Sequence, residues 1–224
     1  LRNHARIFDH NLILFCRGES GKVSFGMWPL IGSMVLPGLS THFISRHPTL
    51  KIWAAVKSAN ALLKELHDGE IELLFCGRGQ FEITPDLQVD SIGEVALSVL
   101  VRNGHPLTNR KTVSRADLFK FPLLCAVELS QVPADFMNGG IFVCENFDVL
   151  RHAALNTDSY WLAPLQMAQP ELAAGLLKEL PVIDQPQRAK VDICMVQLKG
   201  YELSPAAQNI AAYVRDFFAD SDIG

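Results

Sequence analysis

Seven histidines and five cysteines are the residues of this 224-residue chain best suited to catalyse a reaction or hold a metal. Their spacing points to neither. Cys16, Cys76, Cys125, Cys144 and Cys194 lie far apart, with no CxxC or Cys/His ligand interval. His42 and His47 are five apart and do not share a helix face. Gly18-Glu-Ser-Gly-Lys22 has the outline of a phosphate loop, but Val23 follows Lys22 where Ser or Thr is needed, and a strand follows instead of a helix. Gly77-Arg-Gly79 lacks the third glycine and the helix of a dinucleotide fingerprint. No GxSxG, HExxH or EF-hand loop occurs. A triad assembled from distant loops stays open; no cofactor and no metal are expected.

What the chain offers is polar groups where strands hand over to helices. Ser33 falls at or near the start of one predicted helix and Ser58 starts the next. Helix starts present free backbone N–H groups and a positive dipole end, which suit a carboxylate or phosphate. Each serine alone reads as a cap worth ~1 kcal/mol. Arg78, after the third predicted strand, adds a fork for a carboxylate; by itself it reads equally well as a surface arginine. Three such groups at one sheet edge shift the balance toward an anion site. Trp28, Leu30 and Ile31 occupy the predicted loop before the first helix, where they either fill a core or meet the body of a ligand.

These groups depend on an alternation of strand and helix. Val23–Met27 reads as a strand, 33–46 as a helix with Pro37 in its early turns, and 50–56 as a strand. A helix then runs from the Ser58 cap to His67, closed by Asp68-Gly69, before a strand at 71–75. Such a β-α-β-α-β run implies parallel strands joined by right-handed crossovers. Strands are predicted at 87–92 and 94–101. A second alternation follows: a short helix capped by Ser114, strands at 121–127, 141–144 and 160–163, and a helix at 147–155. Helical pieces at 133–137 and 170–174, a strand at 177–180, a strong strand at 191–198 and an apolar-faced helix after Ser204-Pro205 complete it. At the front, Leu1, Ala5, Phe8, Leu12 and Phe15 are spaced 4-3-4-3, the stripe of a helix packing on a second helix or on its own core.

Apolar residues make up 49% of the chain and charged residues 20%, which excludes disordered, collagen-like and rod-like chains. No apolar run approaches the ~20 residues of a membrane helix. The net charge of −4 gives no basic face for nucleic acid. Scattered cysteines within apolar strings fit a reducing compartment.

The order of local motifs resembles the effector-binding domain of LysR-type transcriptional regulators. The segment Gly18-x-x-Gly21-Lys-Val-Ser-Phe-Gly26 is similar to that family's linker end and first strand. Leu36-Pro37-x-Leu39-x-x-x-Phe43-x-x-x-x-Pro48 resembles its first helix and turn. Leu63-x-x-Leu66-x-x-Gly69-Glu-Ile-Glu-Leu73, Val101-Arg-x-Gly-His105-Pro106-Leu107 and Leu203-Ser204-Pro205-Ala206-Ala207 match further segments. Asn156-Thr-Asp-Ser-Tyr-Trp-Leu-Ala-Pro164 departs from the family's glycine-rich turn, and apolar Trp28–Ile31 stands where relatives often carry Ser or Thr.

The resemblance implies an α/β fold of two Rossmann-like subdomains with a cleft between them, like type 2 periplasmic binding proteins. It places 22–100 plus 195–224 in one subdomain, 101–194 in the other, and 1–21 in part of a linker helix that pairs two chains through Leu1, Ala5, Phe8, Leu12 and Phe15. A small-molecule effector, with an organic acid favoured, would meet Trp28, Leu30, Ile31, Ser33, Ser58 and Arg78 from one side, and Cys125 and Thr157 from the other. The implied whole is a cytoplasmic bacterial regulator, not an enzyme, forming a homodimer or homotetramer and reaching promoter DNA through a domain upstream. The alternatives are a solute-binding receptor, or a lyase or dehydratase-like enzyme on the same fold.

Overall fold

A computed structural model of the chain describes residues 22–126, 139–183 and 190–219. The expected linker helix, with Leu1, Ala5, Phe8, Leu12 and Phe15, and the helical piece at 133–137 lie outside the described residues. The chain forms two compact units. One comprises Leu1–Glu94 and Asp192–Gly224, the other Val95–Val191.

In the first unit, β1 (Lys22–Met27) leads into α1 (Pro29–Arg46), then β2 (Lys51–Val56), α2 (Ala59–Asp68) and β3 (Leu73–Gly77). The sheet order is β2-β1-β3-β10-β4, with β4 at Leu87–Ala96 and β10 at Lys190–Leu198. β1 runs parallel to β2 and to β3, whereas β10 returns antiparallel beside β3. β1 and β3 are buried almost throughout, which is why they read as continuous apolar runs. The last helix, α6 (Pro205–Ala219), buries Ala207, Ile210, Ala211, Val214 and Phe218. The Ser204 hydroxyl caps it by accepting from the Ala207 N–H at 3.2 Å.

In the second unit the order is β7-β6-β8-β5-β9. These strands are Ile141–Val143, Leu123–Cys125, Tyr160–Ala163, Ser98–Arg102 and Leu177–Glu179. β6 is parallel to β7 and β8, and β5 is antiparallel to β8 and β9. Helices α3 (Arg115–Leu118), α4 (Phe147–Asn156) and α5 (Gln169–Ala173) accompany them. His105 is fully buried here. Its Nδ1 accepts from the Leu107 N–H at 3.1 Å while Nε2 donates to the Asp158 carbonyl at 3.2 Å. That pattern requires the neutral ring, and burial holds its pKa below the usual histidine value.

Three expectations need correction. The first helix starts at Pro29, not Ser33, because proline at the first helical position has the right φ and gives up an N–H that would be orphaned anyway. Pro37 therefore sits in mid-helix rather than in its early turns. The strands expected at 87–92 and 94–101 are instead divided at Leu97, and β4 runs straight through Gly93. A Cβ at Gly93 would meet the Phe218 Cβ at 2.8 Å, so this glycine admits α6 and does not make a turn. The strand expected at 71–75 is displaced by two residues, to Leu73–Gly77.

Candidate functional site

Because β1, β2 and β3 are parallel, their carboxyl ends share one edge of the first sheet. Met27 is paired with Val56 on one side and Phe75 on the other, so the three chains leave the sheet nearly level. Two backbone bonds hold the exits: the Trp28 N–H donates to the Phe75 carbonyl at 2.8 Å, and the Lys57 N–H to the Met27 carbonyl at 3.3 Å. From this edge α1 and α2 begin, and Arg78 emerges after β3 in a short 3-10 turn.

Neither helix start is closed by a side chain. Trp28 occupies the cap position of α1 and Ser58 that of α2, and among the described residues neither makes a side-chain cap bond. No acidic residue stands in either first turn. The first N–H groups of both helices have no partner within their helix, and the dipoles add positive potential there. Gly69 closes the far end of α2 in the left-handed conformation at φ 74°.

Arg78 is half exposed, its Nη1 only 4.0 Å from Asp192 Oδ2. The other oxygen of Asp192 accepts from the Ser91 hydroxyl at 2.7 Å. This is a guanidinium loosely opposed by one carboxylate oxygen, and in competition with water such a pair contributes little. An incoming carboxylate that offered Arg78 two oxygens would make the stronger contact. Lys57, next to Ser58, is instead committed to the Glu65 carboxylate, which raises its pKa.

The anion-binding part of the expected set thus gathers at one edge: Ser58, Arg78 and the starts of α1 and α2. The rest is placed differently. Trp28, Leu30 and Ile31 are not a loop before the helix but its cap and first turn, and they are 5%, 4% and 0% exposed. Their apolar surface fills the first unit's core. Ser33 is exposed and more than a turn inside α1, away from its first N–H groups. In the second unit, Cys125 is buried in the core cluster with Val99, Leu123 and Tyr160. Thr157 ends α4, where its hydroxyl donates to the Ala153 carbonyl at 2.8 Å and lies 2.7 Å from the Ser159 hydroxyl. Asp192 escapes sequence reasoning because an acidic residue early in a strand carries no spacing signal; only the β3–β10 pairing brings it to Arg78.

A family model described as LysR substrate binding domain matches residues 17–219. The chain belongs to that family. Among curated proteins it is similar to the SDS degradation transcriptional activation protein of Pseudomonas sp. (strain ATCC 19151), 26% identical over 88% of this chain and 67% of that protein. It is also similar to the HTH-type transcriptional regulator GalR of Pseudomonas putida, 25% identical over 97% of this chain and 57% of that protein. The chain therefore spans between about half and two thirds of these relatives' length. Among solved structures, a full-length OxyR variant from Pseudomonas aeruginosa superposes with a TM-score of 0.71, at 14% identity, covering 95% of this chain and 72% of that one. The regulatory domain of NMB2055 (MetR) from N. meningitidis gives 0.68 at 11% identity, covering 89% and 94%. The two α/β units agree with the LysR substrate binding domain fold, of type 2 periplasmic-binding-protein kind. No group of metal-ligating side chains and no helix long and apolar enough to cross a membrane occurs among the described residues.

Proposed function

We propose that this LysR substrate binding domain senses a small organic acid at the carboxyl edge of the first unit's sheet. The carrying observation is that two helix starts, both without a side-chain cap, and a loosely paired arginine leave the sheet at that same edge. The acid's carboxylate takes the α2 N–H groups, the Ser58 hydroxyl and the Arg78 fork. The chain is a binding domain and not an enzyme on this reading, since the edge supplies anion-binding groups and no nucleophile–base pair. Its relatives' names, and its coverage of only 67% and 57% of their length, support a transcription regulator whose DNA-binding part lies outside the 224 residues.

Trp28 caps α1 at this edge, so its fluorescence reports occupancy. Titration with aromatic and short-chain acids is expected to give a saturating change. A bidentate charged contact contributes about 1.5–3 kcal/mol, so Arg78→Ala should weaken the best acid by roughly 10- to 150-fold. Arg78→Lys should restore only part of that loss. Equal binding by Arg78→Ala and wild type would remove the anion site.

We also propose self-association. β2 is an edge strand carrying Trp53 at 64% exposure, and Ile44 on α1 is 67% exposed. On this reading a second copy covers Trp53 and Ile44, as the family resemblance implies. Light scattering should show a dimer or larger, and Trp53→Lys should shift it toward monomer.

A further inference from the structure

Two cysteines that the anion site does not use face each other across the first sheet. Cys76 in β3 and Cys194 in β10 are directly opposite partners in the antiparallel register. Their sulfurs are 3.9 Å apart, and the Cys194 thiol also lies 3.3 Å from the Cys76 carbonyl as a donor. Both are fully buried and both are free thiols. Directly opposed residues in antiparallel strands have Cα separations of about 4.5–5.5 Å, within the range a disulfide spans. Bond formation therefore asks the two sulfurs to close from 3.9 Å to about 2.05 Å by side-chain rotation, with both strands staying paired.

We infer that Cys76 and Cys194 form a thiol pair that a small hydroperoxide converts to an intrachain disulfide. Burial selects the oxidant: hydrogen peroxide is nearly water-sized, whereas a bulky disulfide reagent needs the strands to part. The Cys194 sulfur attacks one peroxide oxygen; an S–O bond forms, the O–O bond breaks, and the departing oxygen leaves as water with the proton Cys194 gave up. The Cys76 sulfur then attacks the resulting sulfenic sulfur; the S–S bond forms, the S–O bond breaks, and the hydroxide takes the Cys76 proton to leave as a second water. Two thiols lose two electrons in all, and the peroxide takes them up. The Cys76 thiol beside it lowers the Cys194 pKa, with Arg78 adding to this and burial and Asp192 opposing it, while the same contact and burial raise Cys76, so Cys194 is the attacking member. Cys76 and Cys194 each stand two residues from a member of the Arg78–Asp192 pair.

The test treats the reduced 224-residue chain with hydrogen peroxide, then denatures it and counts thiols and maps peptides by mass spectrometry. The expected result is two thiols fewer than the initial five, and a Cys76–Cys194 linked peptide two hydrogens lighter than its halves. Dithiothreitol should restore the count. Cys76→Ser should stop the reaction at a Cys194 sulfenic acid, trapped by a dimedone-type reagent, and Cys194→Ser should abolish both products. Retention of all five thiols, oxidation confined to Cys144, or a bond joining Cys125 to Cys144 would each overturn the assignment, on the wild-type chain alone.

Discussion

The starts of α1 and α2 in the first unit differ from those of α3 and α4 in the second. In the second unit, α3 opens with a capping box: the Ser114 hydroxyl accepts from the Asp117 N–H while the Asp117 carboxylate accepts from the Ser114 N–H. α4 opens on Asn146, whose side-chain oxygen accepts from the N–H groups of Asp148 at 3.0 Å and Val149 at 3.3 Å. Both first turns carry an aspartate against the dipole. In the first unit, α1 and α2 open with neither a side-chain cap nor an acid. Uncapped starts forgo about 1 kcal/mol each. Among the described helices α3, α4 and α6 have side-chain caps and α5 has Glu171 in its first turn, so only α1 and α2 open with neither a cap nor an acid. That contrast, more than any single residue, supports the proposed anion site.

The sharpest way to break the contrast is to give α2 what α4 already has. Ser58→Asp puts a carboxylate at the cap of α2. It should leave folding unharmed or slightly improved, because a capping acid complements the dipole. Two carboxylates about 4 Å apart repel by about 4 kcal/mol at an effective dielectric of about 20. Salt screening lowers that, so acid binding should fall by about 100-fold, read in the same fluorescence titration. A variant that binds the acid as wild type does would move the site away from α2.

A smaller effect separates capped from uncapped starts by stability. Asn146→Ala removes both N–H bonds of its cap and should cost about 1 kcal/mol, within a range of about 0.5–2 kcal/mol. Ser58→Ala removes no cap bond and should change stability by no more than a few tenths of a kcal/mol. Urea midpoints measured side by side decide this. Equal losses would mean that Ser58 caps α2 in solution and that the open terminus is not there.

Much of the first unit is legible in the order of its residues. The strand–helix alternation, the Ser58 start, the Gly69 stop and the position of Arg78 follow from local residue types, since caps, turns and buried strands are set by neighbours in sequence. Sequence reasoning fails where distant packing decides. Gly93 looks like punctuation in one dimension, but its missing side chain is there for Phe218 on the last helix. Trp28, Leu30 and Ile31 read as a loop unless Pro29 is counted as a helix start, and once inside α1 they face the core. Ser114 is legible as a cap from its own neighbours, whereas Asp192 and the Cys76–Cys194 pair need the β3–β10 pairing, which joins residues more than a hundred apart.

The smallest expected effect concerns protons, and here too the units oppose each other. In the first unit His67, in the last turn of α2, donates to Asp86 Oδ2 at 2.9 Å and to the Leu63 carbonyl at 2.7 Å. Donating from both nitrogens requires the charged ring, and its pKa is raised, chiefly by the Asp86 hydrogen bond. That contribution is fully present below the unfolded histidine value of about 6.5 and is lost as pH rises through the folded value. His105 in the second unit is held neutral and its pKa is lowered, first by burial. Its contribution is present above about pH 6.5 and is lost as pH falls from there through the folded value. The two slopes therefore lie on either side of about pH 6.5, a rise with pH from His105 below it and a fall from His67 above it. Both members of the His67–Asp86 pair are about half exposed, so its share is modest. Removing that pair by His67→Gln or Asp86→Asn should abolish the fall above about pH 6.5 and leave the rise below it, so that stability levels off where that of the wild type declines. Thermal midpoints at constant ionic strength on both sides of about pH 6.5 provide the measurement. An unchanged slope in both variants would mean that the charged His67 adds nothing to folding, and that the proton balance of the chain rests on the second unit alone.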